Sequence, residues 1–322
     1  MFAVYASAIA PEDPLSGLVI GERPEPEVPQ GWTTVSVKAA ALNHHDLWSL
    51  RGVGLRADAL PMTLGCDAAG YDEDGNEVVV HAVISDPAWT GDETLDPKRS
   101  LLSERYQGTF ADTVAVPRAN VVPKPSSLTF EEAACLPTAW LTAYRMLFTQ
   151  GGLKAGDTVL VQGAGGGVST ALVALARAGG LRVYVTSRDE TKRQRALELG
   201  ASAVFDSGAR LPEKVDAVME TVGRATWSHS IKALRPGGSL VISGTTSGAN
   251  PDNAELTRVF FLQLRVIGST MGTRHELAAL TNMMDVTGVR PVIDRVLPMT
   301  EAAEGFAAMA SGDVFGKIVL TR

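Results

Sequence analysis

The sequence predicts an α/β protein that combines a β-rich part with a doubly wound parallel sheet. Residues 1 to about 120 hold short strand patterns separated by clusters of Pro, Gly and Asp. From residue 158 onward, strands that are apolar along their length alternate with helical stretches, which is typical of a parallel sheet covered on both faces. The length of 322 residues accommodates two domains at about 150 residues each.

The β-rich part contains three strand candidates and one long loop. The strands are TTVSVKAAAL (33–42), EVVVHAVI (77–84) and TFADTVAVP (109–117). Residues 86–108 are polar and have no periodicity, so we expect a surface loop between the second strand and the third.

Helices and strands alternate in the rest of the chain. Residues 126–148 predict two helices, with an N-cap at Ser127 or Thr129. The parallel strands are predicted at 158–163, 182–187, 203–205, 216–222, 239–244 and 264–268. Helical stretches are expected at 190–200 and 225–238, and the tail 291–322 predicts a strand, a capped helix and a second strand.

Composition excludes several classes of partner. The net charge of −7 argues against a nucleic-acid partner and against an anionic membrane surface, since both require a basic face. The longest uncharged run, 158–176, is interrupted by glycines and polar residues, so we expect no membrane span. Two cysteines, Cys66 and Cys135, form neither a disulfide framework nor a four-thiolate zinc site. Two unpaired cysteines suit a reducing cytosol. The first residues, MFAVYASAIAPEDP, do not have the pattern of a signal peptide. We therefore expect a cytoplasmic location.

The segment VLVQGAGGGVST (159–170) carries the strongest functional signal. It runs from a strand into glycines and then into a helix, and a further strand follows, which makes one βαβ unit. Glycines at such a turn permit the tight bend and let a pyrophosphate approach the unpaired N–H groups of the helix. Val168 stands where a strict G-x-G-x-x-G pattern that starts at Gly163 has its third glycine. The context predicts a Rossmann dinucleotide site.

The residues after the second strand favour NADPH over NADH. That strand ends at Ser187 and Arg188, and no acid occurs before Asp189, whereas a carboxylate at the strand end holds the ribose of NAD. Lys192 and Arg193 follow at helical spacing. A hydroxyl and nearby cations suit the 2′-phosphate of NADPH.

Eight segments in order and spacing resemble the medium-chain dehydrogenase/reductase superfamily. They are ALNHHDLWSLRG (41–52), LGCDAAG (64–70), GTFADTVAVP (108–117), LTAYRML (141–147), LKAGDTVLVQGAGGGV (153–168), LGA (199–201), LRPGGSLVISG (234–244) and GKIVL (316–320). The chain is most similar to the zinc-lacking quinone oxidoreductase-like branch, which includes zeta-crystallin. The resemblance implies a GroES-like catalytic domain of residues 1–120 with 288–322 and a Rossmann domain of residues 121–287.

The resemblance also implies a cofactor site and an assembly. The residues expected to bind NADP(H) are Thr142, Ala164, Gly165, Gly166, Gly167, Val168, Ser187, Arg188, Lys192, Gly244, Ser269 and Met271. The substrate is expected in a cleft between the two domains, at the carboxyl ends of the parallel strands. Family members commonly pair through the last parallel strand, here 264–268, so a homodimer is expected.

The resemblance predicts no metal. The positions at which zinc-dependent members hold their catalytic metal are Asn43, Cys66, Thr138 and Asp67. Only Cys66 is a good zinc ligand, and a catalytic zinc requires three protein donors. An improvised site of His45, Cys66 and Asp67 remains an alternative, although adjacent histidines such as His44 and His45 rarely chelate one ion. The four-cysteine structural zinc lobe is absent from the sequence.

Without a metal, the expected reaction is hydride transfer to a quinone or an α,β-unsaturated carbonyl, because conjugation spreads the charge to an oxygen. We expect Asn43 and His45 to polarise that oxygen, His45 or solvent to deliver the proton, and Trp48 to line the substrate. Asp46 is expected to brace the loop. Two other functions remain open: a zinc-type alcohol dehydrogenase with unusual ligands, and a non-catalytic NADPH-binding sensor or partner protein.

Overall fold

A computed structural model describes residues 1–322 and confirms the predicted α/β class. By its internal contacts the chain forms two compact units, which we call the β-rich unit and the parallel-sheet unit. The β-rich unit comprises 1–141, 271–286 and 293–322. The parallel-sheet unit comprises 142–270 and 287–292.

The elements are numbered in chain order. The strands are β1 (Phe2–Ala6), β2 (Leu18–Glu22), β3 (Trp32–Ala41), β4 (Met62–Thr63), β5 (Asp67–Asp72), β6 (Glu77–Val80), β7 (Val83–Ile84), β8 (Ser100–Leu101), β9 (Thr113–Pro117), β10 (Val121–Pro123), β11 (Thr158–Gln162), β12 (Arg182–Thr186), β13 (Ala203–Phe205), β14 (Val215–Glu220), β15 (Leu234–Ile242), β16 (Arg265–Gly268), β17 (Ile293–Pro298) and β18 (Lys317–Thr321). The α-helices are α1 (His44–Leu50), α2 (Phe130–Ala134), α3 (Leu141–Tyr144), α4 (Gly167–Ala178), α5 (Glu190–Leu199), α6 (Trp227–Ala233), α7 (Leu256–Phe261), α8 (Arg274–Thr287) and α9 (Ala302–Ser311).

The parallel-sheet unit contains all six predicted strands. Every strand end lies within two residues of its predicted position, except the start of β15. Its six strands are parallel in the order β13-β12-β11-β14-β15-β16, so the strand order reverses beside β11, where the glycine turn follows. The prediction of a helix over 225–238 is wrong at its end, since α6 stops at Ala233 and β15 begins at Leu234. Pro236 cannot continue a helix, and Gly237 has a φ of +73°, which is not helical. These two residues explain why α6 ends before residue 238.

The β-rich unit is built on a seven-stranded sheet. Its strands pair in the order β10-β6-β5-β3-β18-β17, and β9 also pairs with β3. The tail therefore joins this sheet as predicted, with β17 parallel to β18 and β18 antiparallel to β3. Its core includes Leu42, Phe110 and Phe306, all fully buried.

The compact units and the predicted domains differ in three segments. Residues 121–141 and 271–286 group with the β-rich unit, and residues 288–292 group with the parallel-sheet unit. In the first segment β10 pairs with β6, and α2 contacts β3 and β5. The division into a GroES-like domain of residues 1–120 with 288–322 and a Rossmann domain of residues 121–287 stays a prediction.

Three local predictions are refined by tertiary pairing. The strand expected over 77–84 is two strands, because the backbone of His81 turns aside to bond with Asn120. The loop 86–108 contains one 3-10 turn and β8, which pairs with β7. Helical structure begins after Thr129, whose hydroxyl accepts from the Glu132 N–H in a capping box. No helix is both long and apolar enough to cross a membrane.

Candidate active site

Asp46 fixes the junction between β3 and α1. Its two carboxylate oxygens accept the backbone N–H groups of Asn43 at 2.8 Å and Gly65 at 3.1 Å. Asn43 and Asp46 form the capping box of α1, so Asp46 has the bracing role expected from the sequence. Complete burial raises the pKa of Asp46 to about 6, although the positive charge of His45 opposes the shift.

A buried ion pair lies beside this junction. Lys317 begins β18, which pairs with the end of β3, so its side chain reaches Asn43. Its Nζ donates to the Leu42 carbonyl at 2.8 Å, to Asn43 Oδ1 at 2.7 Å and to Asp67 Oδ2 at 3.2 Å. The Lys317 and Asp67 side chains are 2% and 0% exposed. Three acceptors therefore use all three ammonium hydrogens.

Asn43 and Thr138 complete the shell of Asp67. Asn43 Nδ2 donates to Asp67 Oδ2 at 2.8 Å and to the Ala41 carbonyl at 3.2 Å. Thr138 Oγ1 donates to the other carboxylate oxygen at 2.5 Å. Both amide hydrogens of Asn43 are thus used inside the protein, and the half-buried Thr138 is the member of this group nearest to solvent.

These residues do not fit a catalytic zinc. Of the four positions that the resemblance assigns to zinc, Asn43 and Thr138 supply an amide and a hydroxyl, which bind Zn²⁺ poorly. The carboxylate of Asp67 is neutralised by Lys317. Cys66 Sγ lies 3.2 Å from the Leu102 carbonyl and 3.3 Å from His45 Nδ1, so the thiol is hydrogen-bonded within the protein. These four positions therefore do not supply three free zinc donors.

His45 lies between a thiol and a carboxylate. Its Nδ1 is 3.3 Å from Cys66 Sγ, and its Nε2 is 3.0 Å from Glu104 Oε1. Burial acts to lower the pKa of His45, but the Cys66 sulfur, the Glu104 carboxylate and Asp46 together raise it well above its ordinary value. Sequence patterns gave no sign of Glu104, because it comes from the unpatterned loop 86–108.

Ligand atoms of His45, Asp46 and Cys66 lie within 4.8 Å of one another. Each group is already engaged: both nitrogens of His45 have partners, and the oxygens of Asp46 hold two backbone N–H groups. In the alternative zinc site of His45, Cys66 and Asp67, the Asp67 carboxylate is already bonded to Lys317. We interpret this group as a hydrogen-bonded cluster.

The other two side chains of this helix are more open. His44 is exposed, and its ring centroid is 6.4 Å from that of Trp48, which is half-buried. The two adjacent histidines thus have different surroundings: His45 is hydrogen-bonded within the protein, and His44 is exposed.

The glycine turn presents an open helix N-terminus in the parallel-sheet unit. Gly163 directly follows β11 and has a φ of +84°, a backbone conformation that glycine adopts without strain. Gly166 is the exposed N-cap of α4, and no side chain caps that helix. A Cβ at Gly166 would meet only Ser169 Oγ, at 3.4 Å. Open space and uncapped N–H groups fit a phosphate.

The other residues predicted to bind the cofactor differ in exposure. Gly167 and Val168 form the first turn of α4, whereas Ala164 and Gly165 are buried beneath it. Thr142 is buried as well, and Gly244 follows β15 at half exposure. The Ser269 hydroxyl, just after β16, is buried without a hydrogen-bond partner.

Met271 belongs to the β-rich unit and has a φ of +48°. It packs on Cys66 there.

The end of β12 offers a free cation. Arg188 is exposed and has no partner, whereas Arg193 binds Asp206 and the Ser187 carbonyl, each at 2.7 Å. Asp189 caps α5 by accepting the Lys192 N–H at 3.0 Å. The acid nearest to the strand end is therefore engaged by the helix.

A buried polar network beneath these strand ends was missed by the sequence analysis. The carboxylate of Glu220 accepts from the Gly223 N–H, from Thr226 Oγ1 and from Ser230 Oγ, and the Gln162 amide donates to Ser230 Oγ. Its one sequence signal was a charged residue at the end of an apolar strand.

The fold and site define a dehydrogenase or reductase of the nicotinamide-dependent class. A family model described as zinc-binding dehydrogenase matches residues 167–285, and one described as alcohol dehydrogenase GroES-like domain matches 29–126. A solved NAD-dependent alcohol dehydrogenase superposes with a TM-score of 0.92 at 34% identity, over 100% of both chains.

Two curated relatives are more distant. Acryloyl-coenzyme A reductase of Sulfurisphaera tokodaii is 26% identical over 97% of this chain and 99% of its own length. Quinone oxidoreductase of Mus musculus is 28% identical over 89% of this chain and 88% of its own length. The chain belongs to the medium-chain dehydrogenase/reductase superfamily, as its motifs predicted.

Proposed function

We propose that this protein is an NADPH-dependent, zinc-independent reductase of quinones or α,β-unsaturated carbonyls. The observation that carries the proposal is the set of hydrogen bonds that the Asp67 carboxylate accepts. Lys317, Asn43 and Thr138 satisfy this carboxylate, and the surrounding donors do not suit zinc. The names of two relatives, acryloyl-coenzyme A reductase and quinone oxidoreductase, support a conjugated acceptor.

The substrate class follows from the charge that the reaction creates. The reduced nicotinamide, when bound, supplies a hydride. A simple carbonyl that accepts hydride places full charge on its oxygen and needs a Lewis acid or a strong donor. A quinone or enone accepts hydride at a conjugated carbon and spreads the charge, so a site without zinc suffices.

In this proposal Asn43 positions neighbouring groups, since its amide hydrogens are bonded to Asp67 and Ala41. His45 is the proton store. Both of its nitrogens have partners, so its proton moves through Glu104, whose side chain is 25% exposed, to water near the substrate. Trp48, half-buried on the same helix, lines the substrate.

The preference for NADPH rests on charge at the end of β12. Arg188 is exposed without a partner, and Asp189 is engaged as the cap of α5. With Ser187 and Lys192 nearby, the position suits a 2′-phosphate. Since the similar solved dehydrogenase is NAD-dependent, the cofactor assay compares both forms.

The proposal is tested by following NADPH and NADH oxidation with a panel of quinones, enones and simple ketones, with and without a chelator. We expect turnover of conjugated acceptors with NADPH and no loss with the chelator. Activity confined to simple alcohols and ketones, or abolished by chelation, would refute it.

A zinc-type alcohol dehydrogenase with unusual ligands is the second candidate. It is favoured by the proximity of His45, Asp46 and Cys66 within 4.8 Å and by the match to the zinc-binding dehydrogenase model. Elemental analysis of purified protein decides between them: one zinc per chain supports the second candidate, and none supports the first.

A further inference from the structure

The cluster of Cys66, His45 and Glu104 has the arrangement of an activated nucleophile. We propose that Cys66 is a selective modification site for a small peroxide, with His45 as the base and Glu104 as the residue that orients it. This inference goes beyond the proposed reductase function and does not depend on it.

The geometry sets the role of each group. Glu104 Oε1 accepts from His45 Nε2 at 3.0 Å, and its other oxygen accepts the Leu101 N–H at 3.1 Å. Nδ1 faces Cys66 Sγ at 3.3 Å, so it is placed to take the thiol proton, and the neighbouring Cys66, Glu104 and Asp46 favour the doubly protonated ring that results. A nucleophile, a base within hydrogen-bond distance and a third group that orients the base are the signature of nucleophile activation.

Cys135 provides an internal comparison. Both cysteines are completely buried. The Cys135 thiol donates to the Glu131 carbonyl of its own helix at 3.2 Å and contacts no imidazole. Burial raises the pKa of Cys135 to about 12. Burial also raises the pKa of Cys66, but there the charge and hydrogen bond of His45 act in the opposite direction.

The surroundings of Cys66 limit the size of the reagent. The sulfur is closed by Leu102 and Ser103 of the loop, whereas His45 and Glu104 are 14% and 25% exposed. In this proposal a reagent the size of hydrogen peroxide reaches the sulfur from the side of His45 and Glu104. The Leu102 carbonyl at 3.2 Å and Ser103 Oγ at 3.7 Å from the sulfur can bond to a new S–OH group.

The step is balanced with hydrogen peroxide as the oxidant. The sulfur attacks one peroxide oxygen, so an S–O bond forms and the O–O bond breaks. The thiol proton passes to His45 and then to the departing hydroxide, which leaves as water. Cys66 is oxidised to a sulfenic acid, and the peroxide is reduced.

The test measures sulfenic acid at both cysteines of the folded, full-length protein. The folded protein is treated with hydrogen peroxide for set times, the peroxide is removed, and the protein is then unfolded in the presence of dimedone, digested and quantified by mass spectrometry. We expect Cys66 to be modified at least about tenfold faster than Cys135, since general-base assistance contributes about 10² to 10⁴ in rate. Equal rates at the two sites would overturn the proposal.

Two variants separate activation from simple exposure. His45→Asn and Glu104→Gln should each slow modification of Cys66 about tenfold and leave Cys135 unchanged. Glu93→Gln, in the same loop, should change neither rate. If His45→Asn loosens the fold, both cysteines react faster together, and Glu104→Gln then carries the test. An unchanged rate at Cys66 in the folded Glu104→Gln variant would also overturn the proposal.

Discussion

Asp67 takes its partners from separate parts of the chain. Lys317 comes from the last strand, Asn43 from the end of β3 and Thr138 from the segment after α2. A buried carboxylate is tolerated only when it is paired and hydrogen-bonded, and these three residues meet both conditions. The result is a rigid, charge-neutral centre at a position where zinc-dependent relatives are expected to hold a metal.

Lys317→Met removes the charge that balances Asp67. Because an unpaired buried charge remains, we expect the free energy of unfolding to fall by about 3 to 5 kcal/mol. The double variant Lys317→Met/Asp67→Asn should recover part of the loss, since no charge is left unpaired. Urea unfolding of both variants measures this.

The control is the exposed ion pair of Arg182 and Glu213, which are 53% and 45% exposed. Arg182→Met should lower the free energy of unfolding far less than Lys317→Met does, because water screens the exposed pair. Similar losses for Lys317→Met and Arg182→Met would contradict the assigned role of the buried pair.

At the scale of elements, the strand–turn–helix unit from β11 to β12 organises the proposed cofactor site. The open N-terminus of α4 follows β11, and the free Arg188 follows β12. These two strands are parallel neighbours in one sheet. The carboxyl ends of parallel strands share one edge of the sheet, so the proposed pyrophosphate and 2′-phosphate positions lie on the same edge.

Arg188→Ala tests the 2′-phosphate contact. We expect the Kd for NADPH to rise about tenfold or more and the Kd for NADH to stay the same, because only NADPH carries the charged group. Calorimetry with both cofactors measures the change. Arg182→Ala is the matched control, since Arg182 is at the opposite end of β12. Equal losses for the two cofactors would reject the contact.

The whole molecule raises the question of assembly. In the parallel-sheet unit, β16 is an edge strand, and Leu256, Phe260 and Phe261 nearby in the chain are 70%, 70% and 76% exposed. Unpaired edge strands and exposed aromatic residues favour association. The homodimer through 264–268 stays a prediction, and this surface supports it.

Phe261→Glu tests the homodimer. A charge among these exposed apolar side chains should convert the predicted dimer to a monomer, as measured by light scattering after size exclusion. Val286→Glu, at a residue 86% exposed in the β-rich unit, should leave the mass unchanged. A monomeric wild-type protein would contradict the predicted assembly.

The sequence by itself determined the α/β class, the parallel strands, the tail and the glycine turn. These features depend on hydrophobic periodicity and on backbone preferences of nearby residues, such as Gly163 before α4, so a local pattern is sufficient. The predicted end of α6 is wrong because the predicted range ran through Pro236 and Gly237, which cannot continue a helix.

The tertiary structure alone decided the chemistry around α1. Lys317 and Asp67 are 250 residues apart, and His45 meets Glu104 across 59 residues through a loop without periodicity. Such pairs arise from strand register, since β18 pairs with β3, and from loop placement, neither of which leaves a local signal in the sequence. For that reason the sequence suggested Asn43 and His45 as candidate site residues, but it could not reveal that their hydrogen-bonding groups are occupied within the protein.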